Sequence, residues 1–474
     1  MAKFLYYILI VACLSACKVG PKYHRPTIMS PEGWKNPVPA CADIPVVCVW
    51  WEVFQDETLN SLEEQAVENN PNLEVALYRI EEAWAMAGVS RSRLLPHFDL
   101  NPSYNNSAQL FKIFLPNSLP IPGVTTIPPF RIHQLQYTLP FLLNYEIDLW
   151  GKNMSRYESD LINVEAQEDA YRASLLTLTS NLASNYFNLR ALDAIIDLLQ
   201  RTIDQRRREY ELNKSRFEKG VSNYSDVANA SLELTNAESD YYDIKRQRGL
   251  IENIIATLAG TAASDFSLPH NPLQGEPPVI PPGLPSEVIL RRPDVAQAER
   301  TMASQHELID AAYASFFPSL QLTGIFGFLS PEFKQFLSWK SRWWSIAAEA
   351  DQNIYDGGER CSNLVAAWAR FNEATGTYQQ QVLTAFQEVE DALNNLEFQA
   401  KQAQSLKSSV ESATTAFRLS SNRYRSGITN YIEVVINERQ ELTAEQSYLN
   451  LLGQRYIATV QLIKAIGGSW SCGI

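Results

Sequence analysis

Histidine is scarce: His24, His97, His133, His270 and His306 are the only five in 474 residues. No two of them stand at metal-ligand spacing, so neither a His-based metal centre nor a His-based catalytic centre is expected. A phosphate loop of the Gly-x-x-x-x-Gly-Lys-Ser/Thr type is absent, as are a Gly-x-Ser-x-Gly elbow and any paired metal motif. No enzyme, cofactor or metal is therefore expected. Basic charge is also short. The chain has 40 Lys and Arg against 53 Asp and Glu, a net charge of −13, so it lacks the basic face that phosphate backbones need and nucleic acid is excluded as a partner. No apolar run reaches the ~20 residues of a spanning helix, and mean hydropathy is −0.21. This excludes a helical membrane protein but not a membrane β-structure. What is present, 45% hydrophobic and 20% charged residues, is enough to bury a core.

The first 16 residues read as an address. Lys3 supplies a positive start, Phe4 to Leu14 is an apolar run too short to span, and Leu14-Ser15-Ala16-Cys17 follows. Leu-Ser-Ala-Cys resembles the lipobox of bacterial lipoproteins, which implies cleavage before Cys17 and lipidation of its thiol. Several acyl chains on one residue anchor a protein stably, at ~0.8 kcal/mol per buried CH₂. Lys18 follows; among such lipoproteins an Asp there favours inner-membrane retention, so its absence implies the outer membrane. Cys41, Cys48, Cys361 and Cys472 remain after processing. An oxidising periplasm permits bridges, and Cys41–Cys48 would close a short loop, but four Cys allow three full pairings and free thiols stay open too.

An internal repeat organises the rest. Arg216 to Tyr224 recurs as Arg423 to Tyr431, an offset of 207 that also maps Gly151 to Gly358 and Gly260 to Gly467. Earlier, Pro71 maps to Pro293 and Pro96 to Pro318, an offset of 222. The 15 extra residues of the first copy fall in the Pro-rich stretch Leu115 to Pro129, and the second copy turns near Lys334 to Arg342.

Between Gly151 and Gly220 lie 68 residues without Gly or Pro, and between Gly358 and Gly427 lie 68 broken only by Gly376. Apolar residues from Met154 to Ile203 step by three and four, which is coiled-coil spacing. A helix of that length is about 100 Å long. Each run ends at a Gly turn and a second helix returns, over Asn223 to Ala259 and Asn430 to Ile466. Period-two alternation marks four strands: Phe98 to Leu110, Gln134 to Leu149, Ser319 to Phe328, and Trp344 to Asp351. Spanning strands with one lipid face and one wet face alternate in this way, as do strands of a soluble sandwich. Four strands are too few to close a membrane barrel, so membrane strands here require oligomerisation.

These features resemble the TolC-like outer membrane factors, and in particular the lipoprotein (OprM/NodT-like) branch serving resistance-nodulation-division efflux pumps. Cys17 to Pro26 looks like its lipidated start. Trp50-Trp51, Phe54, Asp56, Leu59, Leu62, Asn69 to Pro71 and Leu73 follow its next signature. Leu284-Pro285-Ser286 with Arg291 to Val295 is another, and Gly220 with Asp226-Val227 and Gly427 with Glu433-Val434 match its hairpin tips. The resemblance implies a mainly α fold with membrane β-strands. Three chains of four strands would form a twelve-stranded barrel, continued by a coiled-coil helical tunnel in the periplasm. The implied divisions are a signal over 1–16, a lipidated extension over 17–56, a first repeat over 57–260 with its β-hairpin at about 98–149 and helical hairpin over 152–260, a Pro-rich linker over 261–284, a second repeat over 285–467 with its β-hairpin at about 319–356 and helical hairpin over 359–467, and a tail over 468–474.

The resemblance further implies a homotrimer in outer membrane lipid that receives drugs or other small molecules from an inner-membrane transporter through a periplasmic adaptor, or membrane fusion, protein. Multidrug resistance is the expected phenotype. The gate is expected at the hairpin tips. Asp226 matches a position that holds the tip closed and Tyr424 one of its partners. Glu433 matches the first acidic ring of the second tip. The next ring position falls at Ile436, where the usual carboxylate is missing, and Thr429 replaces a basic lock residue. An apolar constriction at Ile436 and weaker cation selectivity follow. Alternatively, Asp226 and Glu433 simply stabilise helix N-termini. Gly220, Val221, Ser222 and Asn223, with Gly427, Ile428, Thr429 and Asn430, are the expected adaptor-binding tips. The same fold also admits the exit duct of a type I protein secretion system, and a different class, a periplasmic coiled-coil scaffold without a pore, would have no use for the four strands.

Overall fold

The computed structural model describes residues 18–27, 30–35, 49–112, 129–281, 283 and 285–468. Cys17, the Pro-rich insertion over 115–128, and Cys41, Cys48 and Cys472 lie outside them, whereas the Cys361 thiol is exposed. Helices α1 (Glu57–Asn69) and α2 (Pro71–Ser92) precede strands β1 (His97–Leu100), β2 (Ser103–Phe111) and β3 (Phe130–Ile147). Helices α3 (Lys152–Glu218) and α4 (Tyr224–Leu258) follow. The second half runs α5 (Pro285–Arg291), α6 (Pro293–Ala314), β4 (Ser319–Ser330), β5 (Arg342–Asp351), α7 (Glu359–Arg425) and α8 (Tyr431–Ala465). Both ends of α3 and α4 recur in α7 and α8 at the offset of 207, and α2 recurs in α6 at 222. Short 3-10 turns at Phe333–Gln335 and Trp339–Ser341 make the second-copy connection.

The chain divides into two units. The first takes Glu82–Val164 and Thr301–Ala374 with the N-terminal segment up to Arg25. Its sheet is antiparallel, with β3 and β4 central, β1 and β2 along one edge and β5 along the other. β1 and β2 pair with successive stretches of β3. The single strand expected from Phe98 to Leu110 is thus broken at Asn101-Pro102. The cause is chemical: Pro102 has no N–H for the ladder, and Pro140 opposite has none either. The Asn101 amide still reaches the Pro140 carbonyl at 3.3 Å. Gly327 completes the accommodation, because a Cβ there would sit 2.3 Å from the Leu139 carbonyl oxygen.

Register places the four alternations in phase. Phe98 pairs with Leu143, and Leu100 and Phe326 both pair with Phe141. Phe326 in turn pairs with Trp344, and Leu322 with Ala348. Phe98, Leu100, Tyr104, Phe141, Leu143, Phe326, Trp344 and Ile346 therefore share one face, while Asp99, Gln136, Asn144, Gln321, Ser345 and Glu349 stand on the other. A one-residue slip in any pair would mix the faces. No layer covers the apolar face among the described residues: Phe98 is 78% exposed, Trp344 68% and Ile346 79%. That is inconsistent with a sandwich, whose inner faces are buried.

The second unit holds the main apolar core, in which Trp50, Leu59 and Leu62 join Tyr186, Phe187 and Leu189, Ile255, Leu393, Tyr456 and Ile463. Asp56 caps α1, accepting from the amides of Thr58 and Leu59 and from the Tyr186 hydroxyl at 2.5 Å. The repeat extends to single hydrogen bonds. The Asn70 side-chain Nδ2 donates to the Leu258 carbonyl at 2.8 Å, and the guanidinium of Arg292, its counterpart, to the Ala465 carbonyl at 3.1 Å. Gly260 and Gly467 close these joints at positive φ, where a Cβ would meet the backbone of Asn69 or Arg291 at 2.3 Å or 2.9 Å. Arg190 and Arg248 hold the Pro-rich linker by donating to the carbonyls of Pro269 and Leu268.

Glu63 is fully buried on α1, and that burial holds its carboxyl well above the usual carboxylate range. The folded state thus keeps a proton that the unfolded state releases, so stability is lost as pH rises from the unfolded value through the folded one. Glu63→Gln removes this requirement. The expected outcome is a gain of about 1–3 kcal/mol at pH 8 and little change at pH 4, measured by thermal unfolding. An equal effect at both pH values contradicts this origin.

Candidate functional site

The helical hairpin tips lie in the second unit. At the first, Gly220 adopts φ +72°, and the Val221 amide donates back to the Arg216 carbonyl at 2.8 Å. At the second, Gly427 adopts φ +74°, and the Ile428 amide donates to the Arg423 carbonyl at 2.9 Å. This is the left-handed closure that lets a helix stop and reverse, and it favours glycine. Asn223 then caps α4 through the Ser225 amide. Asn430 occupies the equivalent place on α8 without a side-chain bond. Val221 and Ile428 project into solvent, 71% and 69% exposed, while Ser222 and Thr429 are half-buried beside them.

The expected gate residues have different surroundings. Glu433 is engaged within its own hairpin, accepting from Arg423 at 3.0 Å and from the Thr429 hydroxyl. Its charge is therefore partly offset within the hairpin. Ile436, one turn on, is half exposed. Asp226 lies half-buried in the first turn of α4. Tyr424 is tied inward: its hydroxyl donates to Asn213 at 2.6 Å, the Arg216 guanidinium lies 4.9 Å from its ring centre, and the Tyr431 ring is 5.4 Å away. Burial raises the Tyr424 hydroxyl pKa, with Arg216 opposing and the Asp226 charge adding.

Deeper in the hairpins lies a buried charged network outside the expected site. Arg206 of α3 is 3% exposed and donates to the Glu233 carbonyl of α4 at 2.8 Å. It also pairs with the carboxylates of Glu233 and, on α8, Glu438, at 3.3 Å each. Arg439 grips Glu233 from the other side. The Tyr431 hydroxyl donates to Glu209 at 3.3 Å. Arg206 thus joins three helices, and removal of one partner from such a buried set leaves an uncompensated charge. The signal for it lies in the heptad. Arg206 and Asn213 occupy the apolar stripe that continues from Ile196, Leu199 and Ile203, and their repeat counterparts, Ala413 and Ser420, carry no charge. Below the second tip an open groove of about 640 Å³ runs between α7 and α8, lined by small residues including Ser409, Ser412, Ala413, Ala416 and Ala444.

Two carboxyls of this network are raised, Glu209 by its burial, which Tyr431 and Arg206 oppose, and Glu438 beside it. Burial, and then the Glu209 charge, push the Glu438 carboxyl up to about 7. Arg206 and Gln205 face it from α3, Glu233 from α4, and one of its oxygens is buried without a partner. A raised folded-state value means that stability of the tip is lost as pH rises from the ordinary carboxylate range to about 7, and levels off above it. Hydrogen exchange over residues 430–442, corrected for intrinsic rates, is expected to be slower at pH 5.5 than at pH 8, and Glu438→Gln is expected to abolish the difference. Equal protection of the wild type at both pH values contradicts the assignment.

The profile of the family described as outer membrane efflux protein matches residues 62–261 and 284–468. The chain is similar to outer membrane protein OprJ of Pseudomonas aeruginosa, 29% identical over 98% of this chain and 96% of the relative. It is also similar to the probable outer membrane lipoprotein SilC of Salmonella typhimurium, 26% identical over 98% of this chain and 97% of the relative. Among solved structures, the Campylobacter jejuni CmeC outer membrane channel superposes with a TM-score of 0.86 at 26% identity, covering 95% of each chain.

Proposed function

The chain belongs to the outer membrane efflux protein family, and from this premise we propose that it is the outer membrane exit duct of a tripartite efflux pump. The observation that carries the reading is the sheet of the first unit: four strand lines and, among the described residues, one apolar face left open to the surroundings and two edges with no partner strand. In lipid such edges leave backbone groups unsatisfied, and closure removes them. Three chains would supply twelve strands, and the even count and outward apolar face suit an outer-membrane barrel. Cys17 supplies the lipid anchor.

The six helical hairpins of such a trimer would form the periplasmic conduit. Val221 to Asn223 and Ile428 to Asn430, exposed or half-buried at the tips, would receive a periplasmic adaptor, which joins the duct to an inner-membrane transporter. Drugs and other small molecules would pass outward, and selection among them lies with the transporter. At the gate, Glu433 and Ile436 would line the constriction, with the Tyr424–Asn213 bond and the Asp226 charge holding the tips. Because Arg423 and Thr429 engage Glu433 and position 436 carries no carboxylate, the acidic ring is weaker than two free carboxylates per chain would make it, and cation selectivity is correspondingly lower.

Ser222→Trp and Thr429→Trp test the adaptor surface. Each is expected to abolish efflux-dependent drug resistance while leaving trimers intact in outer membranes. Normal resistance at normal expression in either variant overturns this assignment.

A further inference from the structure

The segment Lys18–Arg25 belongs to the first unit, together with the start of α3 and most of α6. Its Lys18 ammonium donates to Glu158 of α3 at 2.7 Å and to Glu307 of α6, and stands 3.4 Å from Asp310. Gly20 crosses so close to Asp310 that a Cβ there would lie 1.9 Å from its Oδ1. The His306 ring is held edge-on between Tyr23 and Phe371, with ring centres 5.4 Å and 5.5 Å away.

Ligand-capable atoms of His306, Glu307 and Asp310 lie within 4.8 Å of one another. Two of these side chains are nearly sealed from solvent, since His306 and Asp310 are each 4% exposed. Each also keeps one buried atom without a hydrogen-bond partner, Nδ1 of His306 and Oδ1 of Asp310. Buried polar atoms are almost always satisfied, so two orphans in one cluster call for a ligand. The charge count points to its sign: Glu158, Glu307 and Asp310 bring three carboxylates to one ammonium. Lys18 itself shows that a cation is accepted at this place. The donor chemistry narrows the class further. An imidazole nitrogen among carboxylate oxygens suits zinc-like divalent ions, whereas calcium and magnesium favour oxygen-only sets.

We propose that His306, Glu307 and Asp310, with Glu158 facing them from α3, form a binding site for a divalent cation of the zinc class, for which Lys18 is a built-in competitor. Metal and ammonium draw on the same carboxylate groups, so an ion that enters displaces Lys18 and unfastens the segment just after the lipidated position. The proposal uses only residues within the first unit and does not rest on the exit-duct reading.

The test is calorimetric titration of Zn²⁺ into the full-length, detergent-purified protein, stripped with EDTA and with its thiols blocked by iodoacetamide. Lys18→Met is expected to bind one Zn²⁺ per chain at least tenfold more tightly than the wild type. Adding His306→Ala or Asp310→Asn to Lys18→Met is expected to weaken binding at least tenfold, and Ca²⁺ is expected to give no binding. Circular dichroism checks each variant's fold, and Glu307→Gln replaces His306→Ala if that variant does not fold. Binding in Lys18→Met that is absent, or no tighter than in the wild type, overturns the proposal, as does tight binding that survives the ligand substitutions.

Discussion

A sheet with two unpaired edges cannot stand in hydrocarbon, because each exposed backbone N–H or C=O there costs several kcal/mol. Here the four strand lines end at β1 and β2 on one side and at β5 on the other, and apolar residues from all four share one face that is uncovered among the described residues. Much else answers to that constraint. The in-phase register keeps Asp99, Glu146, Glu349 and Asp351 off the apolar face, and the two charges that share that face, Arg131 and Arg342, stand at strand ends. Pro102 and Pro140, which would break two ladders if separated, fall together at one break, and Gly327 gives Pro140 the room it needs.

The second unit solves a different problem with the same duplicated unit. Its joints repeat at the level of single bonds, Asn70 to Leu258 and Arg292 to Ala465. The polar network below its tips does not repeat. Arg206, Glu209 and Asn213 come from the first copy, whereas Tyr424, Tyr431, Glu438 and Arg439 come from the second. A duplicated scaffold thus carries an interface between unlike partners, which gives the two copies distinct parts in holding the tips. Buried charge there adds less to stability than apolar packing would, but it makes the arrangement sensitive to the loss of any one member.

Much of the helical fold was legible because it depends on local chemistry. The Gly- and Pro-free runs bounded by Gly151 and Gly220, and by Gly358 and Gly427, bracket α3 and α7 to within a few residues. Period-two alternation located the strands, but the break at Asn101-Pro102 depends on Pro140 lying opposite, a long-range fact. The reversals at Gly220 and Gly427 followed from glycine's access to positive φ. The Arg206 network was missed for a physical reason: an arginine on an apolar stripe becomes meaningful only once Glu233 and Glu438 arrive from two other helices. Lys18 likewise acquires its three carboxylates only when α3 and α6 come together.

The most direct test of the central claim is the copy number of the particle extracted intact from outer membranes. Native mass spectrometry in mild detergent should give three chains and no folded single chain, because the described strands of one chain leave two sheet edges open. A stable monomer that retains its strand content in the membrane would contradict closure by neighbouring copies, and with it the duct.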